Sequence, residues 1–175
     1  MVTETSDKKE LLRAIEETVS QLLVLFSSLD ENKINSVPYR DSWTAAQLLR
    51  HVTMSTNGMA KAMSQKSKPA ERDPGEKIPQ LKNAFLDFEN KMKSPDFIVP
   101  ENGPYQKTAS TEEVNKSFDH LKENVQHANV ADMVEGLPLG SITKLEILHF
   151  VLYHTQRHLH QLKKISKALK ENSKG

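Results

Sequence analysis

The feature that most restricts the fold is one long stretch near the C-terminus. It reads Leu148-His149-Phe150-Val151-Leu152-Tyr153-His154-Thr155-Gln156-Arg157-His158-Leu159-His160-Gln161-Leu162. It holds neither Pro nor Gly, and its apolar residues recur at helical spacing. Four of the chain's seven histidines fall in it. The spacing predicts a helix from about residue 144 to residue 171. A helix of this kind is stable only when neighbours cover its apolar stripe.

The sequence supplies such neighbours. Residues 6–29 place Leu11, Ile15, Val19, Leu22 and Phe26 three or four apart, with Glu10, Arg13, Glu16 and Glu17 on other faces. A second helix starts with Thr44 as N-cap and Gln47 as the N3 partner of a capping box, and Trp43 can close a hydrophobic staple on Leu48. It runs to about residue 63 and turns Leu48, His51, Ser55, Gly58, Met59 and Ala62 to one side, where the small residues allow close helix approach. A third helix is expected with Ser110 as N-cap and Glu113 at N3, burying Val114, Phe118, Leu121 and Val125. Thr143 and Glu146 form another capping box, with Ile142 and Ile147 as its staple, and open the last helix. Four amphipathic helices in 175 residues predict an all-α four-helix bundle in a single domain.

The connections carry turn formers. Residues 30–43 read as a loop, and residues 64–79 as a connection without regular structure. Residues 80–92 predict one additional short helix with Leu81, Phe85 and Phe88 on one face. Residues 94–105 contain Pro95, Pro100, Gly103 and Pro104 and should be extended or irregular. Loops this long serve as lids and pocket walls, and equally as a wrap over one bundle face. Residues 130–140 close on Gly136, Pro138 and Gly140, with Leu137 and Leu139 placed to plug the bundle end.

Composition removes several function classes. The chain has 24 Lys plus Arg against 23 Asp plus Glu, a net charge of +1, which gives no electrostatic case for binding nucleic acid. The terminal lysines, Lys163, Lys164, Lys167, Lys170 and Lys174, read as a solvated helix face interrupted by Glu171. No cysteine is present, so disulfides, thiolate metal sites and a cysteine nucleophile are excluded. No run approaches the ~20 apolar residues of a membrane span. The polar start, Met1-Val2-Thr3-Glu4-Thr5-Ser6-Asp7, lacks the apolar centre of a signal peptide, so a cytoplasmic protein is expected.

On a helical wheel the four clustered histidines separate. His154 and His158 share the inward sector with Ile147, Val151, Leu162 and Ile165, and Gln161 borders it. His149 and His160 fall on the opposite side, toward solvent or a subunit partner. Two histidines four apart on a helix can hold one ion between them. His51, inward on its own helix, is the best candidate for a third ligand. Three neutral imidazoles leave coordination positions open, as in catalytic sites. Spacing alone is equally compatible with core histidines bonded to carbonyls or carboxylates. His120 and His127 read as surface histidines.

The segment Trp43-Thr44-Ala45-Ala46-Gln47-Leu48-Leu49-Arg50-His51 resembles the second-helix signature of DinB-like proteins, a Trp-Ser/Thr start followed by a histidine. The segment from His154 to Leu162 is similar to that family's last-helix signature, His-x3-His with Gln three positions later. The resemblance covers most of the chain. It implies an antiparallel four-helix bundle with an unusual connection and a metal held by His51, His154 and His158. Nickel and zinc are typical of such proteins, with manganese and iron as further options. Some members transfer low-molecular-weight thiols such as bacillithiol, mycothiol or glutathione to electrophiles, and others isomerise small acids. Residues 65–103 match no family motif.

The expected function is therefore a metal-dependent enzyme of the thiol-transferase type, acting on a small-molecule substrate, with a homodimer as the expected assembly. Gln161 is read either as a residue orienting substrate or a metal ligand, or as a buried amide capping a neighbouring helix. Tyr153 and Trp43 read as packing residues that can also line a pocket. The alternatives are a non-catalytic metal-binding bundle that serves as an interaction module, and a hydrolase.

Overall fold

The structure, a computed structural model, describes residues 4–174. The first residues of the polar start lie outside the described residues. The elements in chain order are α1 (Glu4–Ser27), α2 (Glu31–Ile34), α3 (Ala45–Ser64), β1 (Lys68–Pro69), α4 (Ile78–Leu86), a 3₁₀ turn (Asp96–Ile98), α5 (Lys107–Gln126), β2 (Asp132–Leu137), β3 (Gly140–Thr143) and α6 (Lys144–Asn172).

The long helices α1, α3, α5 and α6 form a four-helix bundle, with α6 packed on α1 and α3, and α3 packed on α5. The apolar stripes lie where the periodicity put them. Leu22 and Phe26 of α1, Leu48 of α3, Leu121 of α5, and Ile147 and Leu162 of α6 are essentially inaccessible to solvent. Gly58 does not belong to the inner stripe of α3. It is exposed, and an added Cβ there would meet nothing.

The order in which the chain crosses the bundle explains its long connections. Lys8 at the start of α1 donates to the carbonyls of Val125 and Ala128 at the end of α5, and Lys107 at the start of α5 reaches the Ser27 carbonyl at the end of α1. These two helices are antiparallel. Arg50 pairs with Glu113, and Asn124 donates to the Ala60 carbonyl, so α3 and α5 run in the same direction. The chain leaving α3 must therefore travel back along the bundle before α5 can begin. Residues 65–106 make that return.

Several local expectations change. Residues 30–43 contain the single turn α2, capped by Asp30, whose side chain accepts from the Lys33 N–H at 2.8 Å. The extra helix spans Ile78–Leu86 rather than 80–92. It stops early because Asp87 turns its carboxylate to the Glu89 N–H (3.2 Å), a local bond that competes with the helix. Ser110 is not an N-cap. α5 begins at Lys107, and the Glu31 carboxylate accepts from the Lys107 N–H at 3.0 Å, so its first orphan donor is satisfied from another part of the chain. Ser110 is buried in the helix.

Residues 130–140 form most of a hairpin rather than a loop. β2 pairs antiparallel with β3 through Val134 and Ile142, and Gly136 and Gly140 take positive φ angles of 76° and 80°. β1 adds a third antiparallel strand from the connection expected to be irregular, with Lys68 opposite Met133. Leu137 and Leu139 are half-buried against the core, at the bundle end where they were expected.

The hairpin feeds directly into α6. Both predicted capping boxes, Thr44–Gln47 and Thr143–Glu146, are formed. Glu146 does more than cap. It is fully buried and receives a bidentate pair from Arg72, at 2.7 Å to each oxygen, together with the N–H of Lys77 at 2.8 Å and of Thr143 at 2.9 Å. Burial alone would raise its pKa, but the Arg72 guanidinium and the two N–H groups overcome this and lower it. The return segment is thus fastened to the base of α6. Among the described residues, no helix is long and apolar enough to cross a membrane.

Candidate metal centre

Three histidines predicted to face inward meet between α3 and α6. His51 lies two turns into α3, and its capping box fixes where the helix starts and hence which way His51 points. His154 and His158 lie one turn apart on α6. All three are buried. His154 Nε2 is 3.1 Å from His51 Nε2 and 3.1 Å from His158 Nε2. The ligand atoms of the three all lie within 4.8 Å of one another.

The outward ring nitrogens show which tautomers are present. His51 Nδ1 is 2.9 Å from the Ile98 carbonyl, which can only accept, so Nδ1 carries the proton. His158 Nδ1 donates to Gln161 Oε1 at 2.9 Å. Both Nε2 atoms therefore present lone pairs to His154 Nε2. A single imidazole proton on His154 can satisfy only one of them at a time. Three convergent nitrogens with too few protons between them fit a cation. The observed 3.1 Å spacings are close to the ~3.3 Å separating ligand nitrogens at 2.0–2.1 Å around a tetrahedral zinc ion.

The electrostatics agree. Burial pushes the His51 imidazole below its usual value, against the Ile98 carbonyl, which favours the charged form. Burial holds His154 well below the usual range, helped by the positive charge that His158, His51 and Arg157 would present. His158 is pushed down to about 3, first by burial and then by His51, with Gln161 opposing. Neutral imidazole is the form that coordinates a metal. No carboxylate joins the cluster among the described residues.

The surroundings are aromatic. The Trp43 ring lies 4.9 Å from His51, Phe150 stacks 5.2 Å from His154, and Phe85 stands edge-on to His154 at 6.0 Å. These distances run between ring centroids. A surface groove of about 470 Å³ between α1 and α5 is lined by Leu12, Val19, Leu23 and Phe118 and contains none of the three histidines.

The other sequence candidates separate as follows. Gln161 contacts a histidine of the cluster directly, through His158 Nδ1. Tyr153 is buried and its hydroxyl lies 3.1 Å from His149 Nδ1, outside the cluster. His149 and His160 do not project freely outward. Both are half-buried, and His160 stacks on Phe88 at 4.1 Å and 7°. His120 and His127 are exposed, as expected. Sequence reasoning did not single out the Ile98 carbonyl, Arg157 or Phe150. The prolines of residues 94–105 marked a candidate wall, but a main-chain acceptor has no residue signature.

With this geometry established, comparison with known proteins places the chain. The family model described as the DinB superfamily matches residues 14–162. The chain belongs to the DinB superfamily. A solved structure, TT2238, a four-helix bundle protein, superposes with a TM-score of 0.58 at 17% identity, covering 90% of this chain and 98% of that one. At that identity it supports the bundle fold alone. A search of curated proteins finds no match.

Proposed function

We propose that this DinB-superfamily protein is a metal-dependent enzyme whose three-histidine centre activates a low-molecular-weight thiol for transfer to a small electrophile. The observation that carries the reading is the convergence of three buried Nε2 atoms, 3.1 Å apart in two pairs, with the outward nitrogens of His51 and His158 tied to carbonyl acceptors. His51, His154 and His158 would hold the ion. Imidazole ligands suit nickel, zinc and iron alike, and nickel and zinc come before manganese and iron because they are typical of DinB-like proteins. Such an ion supplies Lewis acidity, lowering the pKa of a thiol or water that reaches it.

The chain's own residues do the rest. Burial keeps the imidazoles neutral and ready to coordinate. Trp43, Phe85 and Phe150 give the centre an apolar lining that excludes bulk water and strengthens electrostatic effects there. Gln161 accepts the His158 Nδ1 proton and fixes that ring's orientation. The cluster contains no carboxylate to act as general base. A thiol, which gives up its proton far more readily than water, suits such a site better than hydrolysis does.

The test starts from untagged protein. Elemental analysis should find one equivalent of transition metal, lost in His51→Ala. A panel of small thiols with a chromogenic electrophile should then show turnover that His154→Ala abolishes. Protein that takes up no metal under any loading condition would sink the reading. Full loading without turnover across the panel would favour a non-catalytic metal-binding module, and ester turnover without added thiol would favour a hydrolase.

A further inference from the structure

The return segment passes over the histidine cluster because α3 and α5 run in the same direction. It is fastened on both sides of the cluster. On one side Arg157 of α6 donates to the carbonyls of Phe85 at 3.3 Å, Asp87 at 2.8 Å and Asn90, while Phe88 stacks on His160. On the other side Arg50 reaches the Glu101 carboxylate at 3.4 Å, and Gln47 reaches the Glu101 carbonyl at 3.3 Å. Asn35 bonds the N–H and carbonyl of Tyr105 at 2.7 and 2.9 Å.

Residues 91–100 bridge these fastenings with little support of their own. Met92, Phe97 and Val99 are exposed, and only Pro100 of the span is buried. Among the described hydrogen bonds, the span reaches the bundle only at His51 Nδ1, from the Ile98 carbonyl at 2.9 Å and the Ser94 hydroxyl at 3.5 Å. The Ile98 carbonyl therefore sits where the fastenings place it. The two fastenings are unequal. The Arg50–Glu101 pair is exposed on its acidic side, and water screens such pairs. Arg157 makes charge-assisted bonds to three carbonyls from a part-buried guanidinium.

We propose that Arg157 is a positioning residue for the three-histidine centre: by holding residues 85–90 on α6, it keeps the return segment closed over the cluster and the Ile98 carbonyl on His51 Nδ1. The carbonyl selects the tautomer that aims the His51 Nε2 lone pair inward. Among the described hydrogen bonds Arg157 makes none to the three imidazoles, so its hold on the His51 ring passes through the main chain, while its charge acts directly on His154 and His158. The inference rests on the reading of the cluster as a metal centre, but the tautomer itself is a property of the metal-free protein.

The experiment uses the full chain, as wild type, Arg157→Gln and Arg157→Lys. In metal-free protein, ¹⁵N NMR of the histidine rings reads the His51 tautomer. In zinc-loaded protein, competition with a chromogenic chelator reads the rate of zinc loss. Wild type should show His51 protonated at Nδ1. Arg157→Gln should show both tautomers and lose zinc at least about tenfold faster, the scale on which groups supporting a metal ligand act. Arg157→Lys, which reaches fewer carbonyls, should fall between them and decides the matter if the glutamine variant does not fold. Two results would overturn the proposal: a wild-type His51 protonated at Nε2, or variants that lose thermal stability while the tautomer and the zinc-loss rate stay as in wild type. A wild-type protein that binds no zinc would instead refute the metal-centre reading, and the tautomer comparison would still decide the role of Arg157.

Discussion

His158 and Gln161 are joined by a hydrogen bond of 2.9 Å from Nδ1 to Oε1, one helical turn apart on α6. The bond sets the proton on the outer nitrogen and leaves Nε2 as an acceptor facing His154. It also opposes, in part, the burial that drives the His158 pKa down. The amide is thus tied to a histidine of the cluster.

Loss of that bond should weaken metal binding without removing a ligand. Gln161→Ala is expected to lower zinc affinity by roughly 10–100-fold, the usual effect of removing a partner of a ligating histidine. Gln161→Glu keeps an acceptor and should retain most of the affinity. Competition with a chelator of known affinity measures both. Equal affinity in the alanine variant and the wild type would show that the contact does not orient the ligand.

The histidine cluster should make the metal-free protein acid-sensitive. The folded-state pKa of His158, about 3, lies below its unfolded value of about 6.5. Between these values the unfolded chain binds the proton and the folded one does not, so stability falls as pH falls. The slope per histidine approaches 1.4 kcal/mol per pH unit, roughly, well below pH 6.5. Urea unfolding between pH 7 and 5 should show this decline, and His158→Gln should make it shallower. An unchanged slope in the variant would mean that His158 does not carry the penalty.

What could be read from the chain divides by the range of the interactions. The Thr44 and Thr143 capping boxes were legible because each residue's partner lies three positions away. The inward turn of His51, His154 and His158 followed from helical periodicity. Ser110 misled because the donor at the start of α5 is satisfied by Glu31, distant in sequence. β1 escaped notice because a two-residue strand acquires its identity only from Met133 across the sheet. The roles of Arg72 and Arg157 were hidden for the same reason, since both act on groups more than sixty residues away.

Arg72 and Glu146 should form the most costly pair to break. Glu146 is fully buried, and Arg72→Ala would remove its only cationic partner among the described salt bridges. Breaking a buried pair on one side costs about 3–5 kcal/mol. The lower end is expected, because Thr143 and Lys77 still donate their N–H groups. Adding Glu146→Gln should recover part of the loss by removing the stranded charge. Urea unfolding of the two single variants and the double variant closes the cycle. A double variant destabilised, relative to wild type, by the full sum of the two single losses would show that the two residues act independently.

The chain's single tryptophan gives a direct report on the centre. Trp43 lies with its ring 4.9 Å from that of His51, which the proposed function makes a ligand. An open-shell ion such as nickel at the cluster should quench Trp43 emission, because the indole is close enough for electronic coupling to its d electrons. Zinc has a filled d shell and should leave most of the intensity in place. Titration of untagged, metal-free protein with nickel should therefore quench the emission and saturate at one equivalent. Zinc added first should block the quenching by occupying the same nitrogens. His154→Ala keeps Trp43 and His51 but removes the central ligand, so its quenching should need far more nickel and should not saturate at one equivalent. If nickel quenches wild type and His154→Ala alike, the ion binds near Trp43 by another route, and the three histidines do not act as one site.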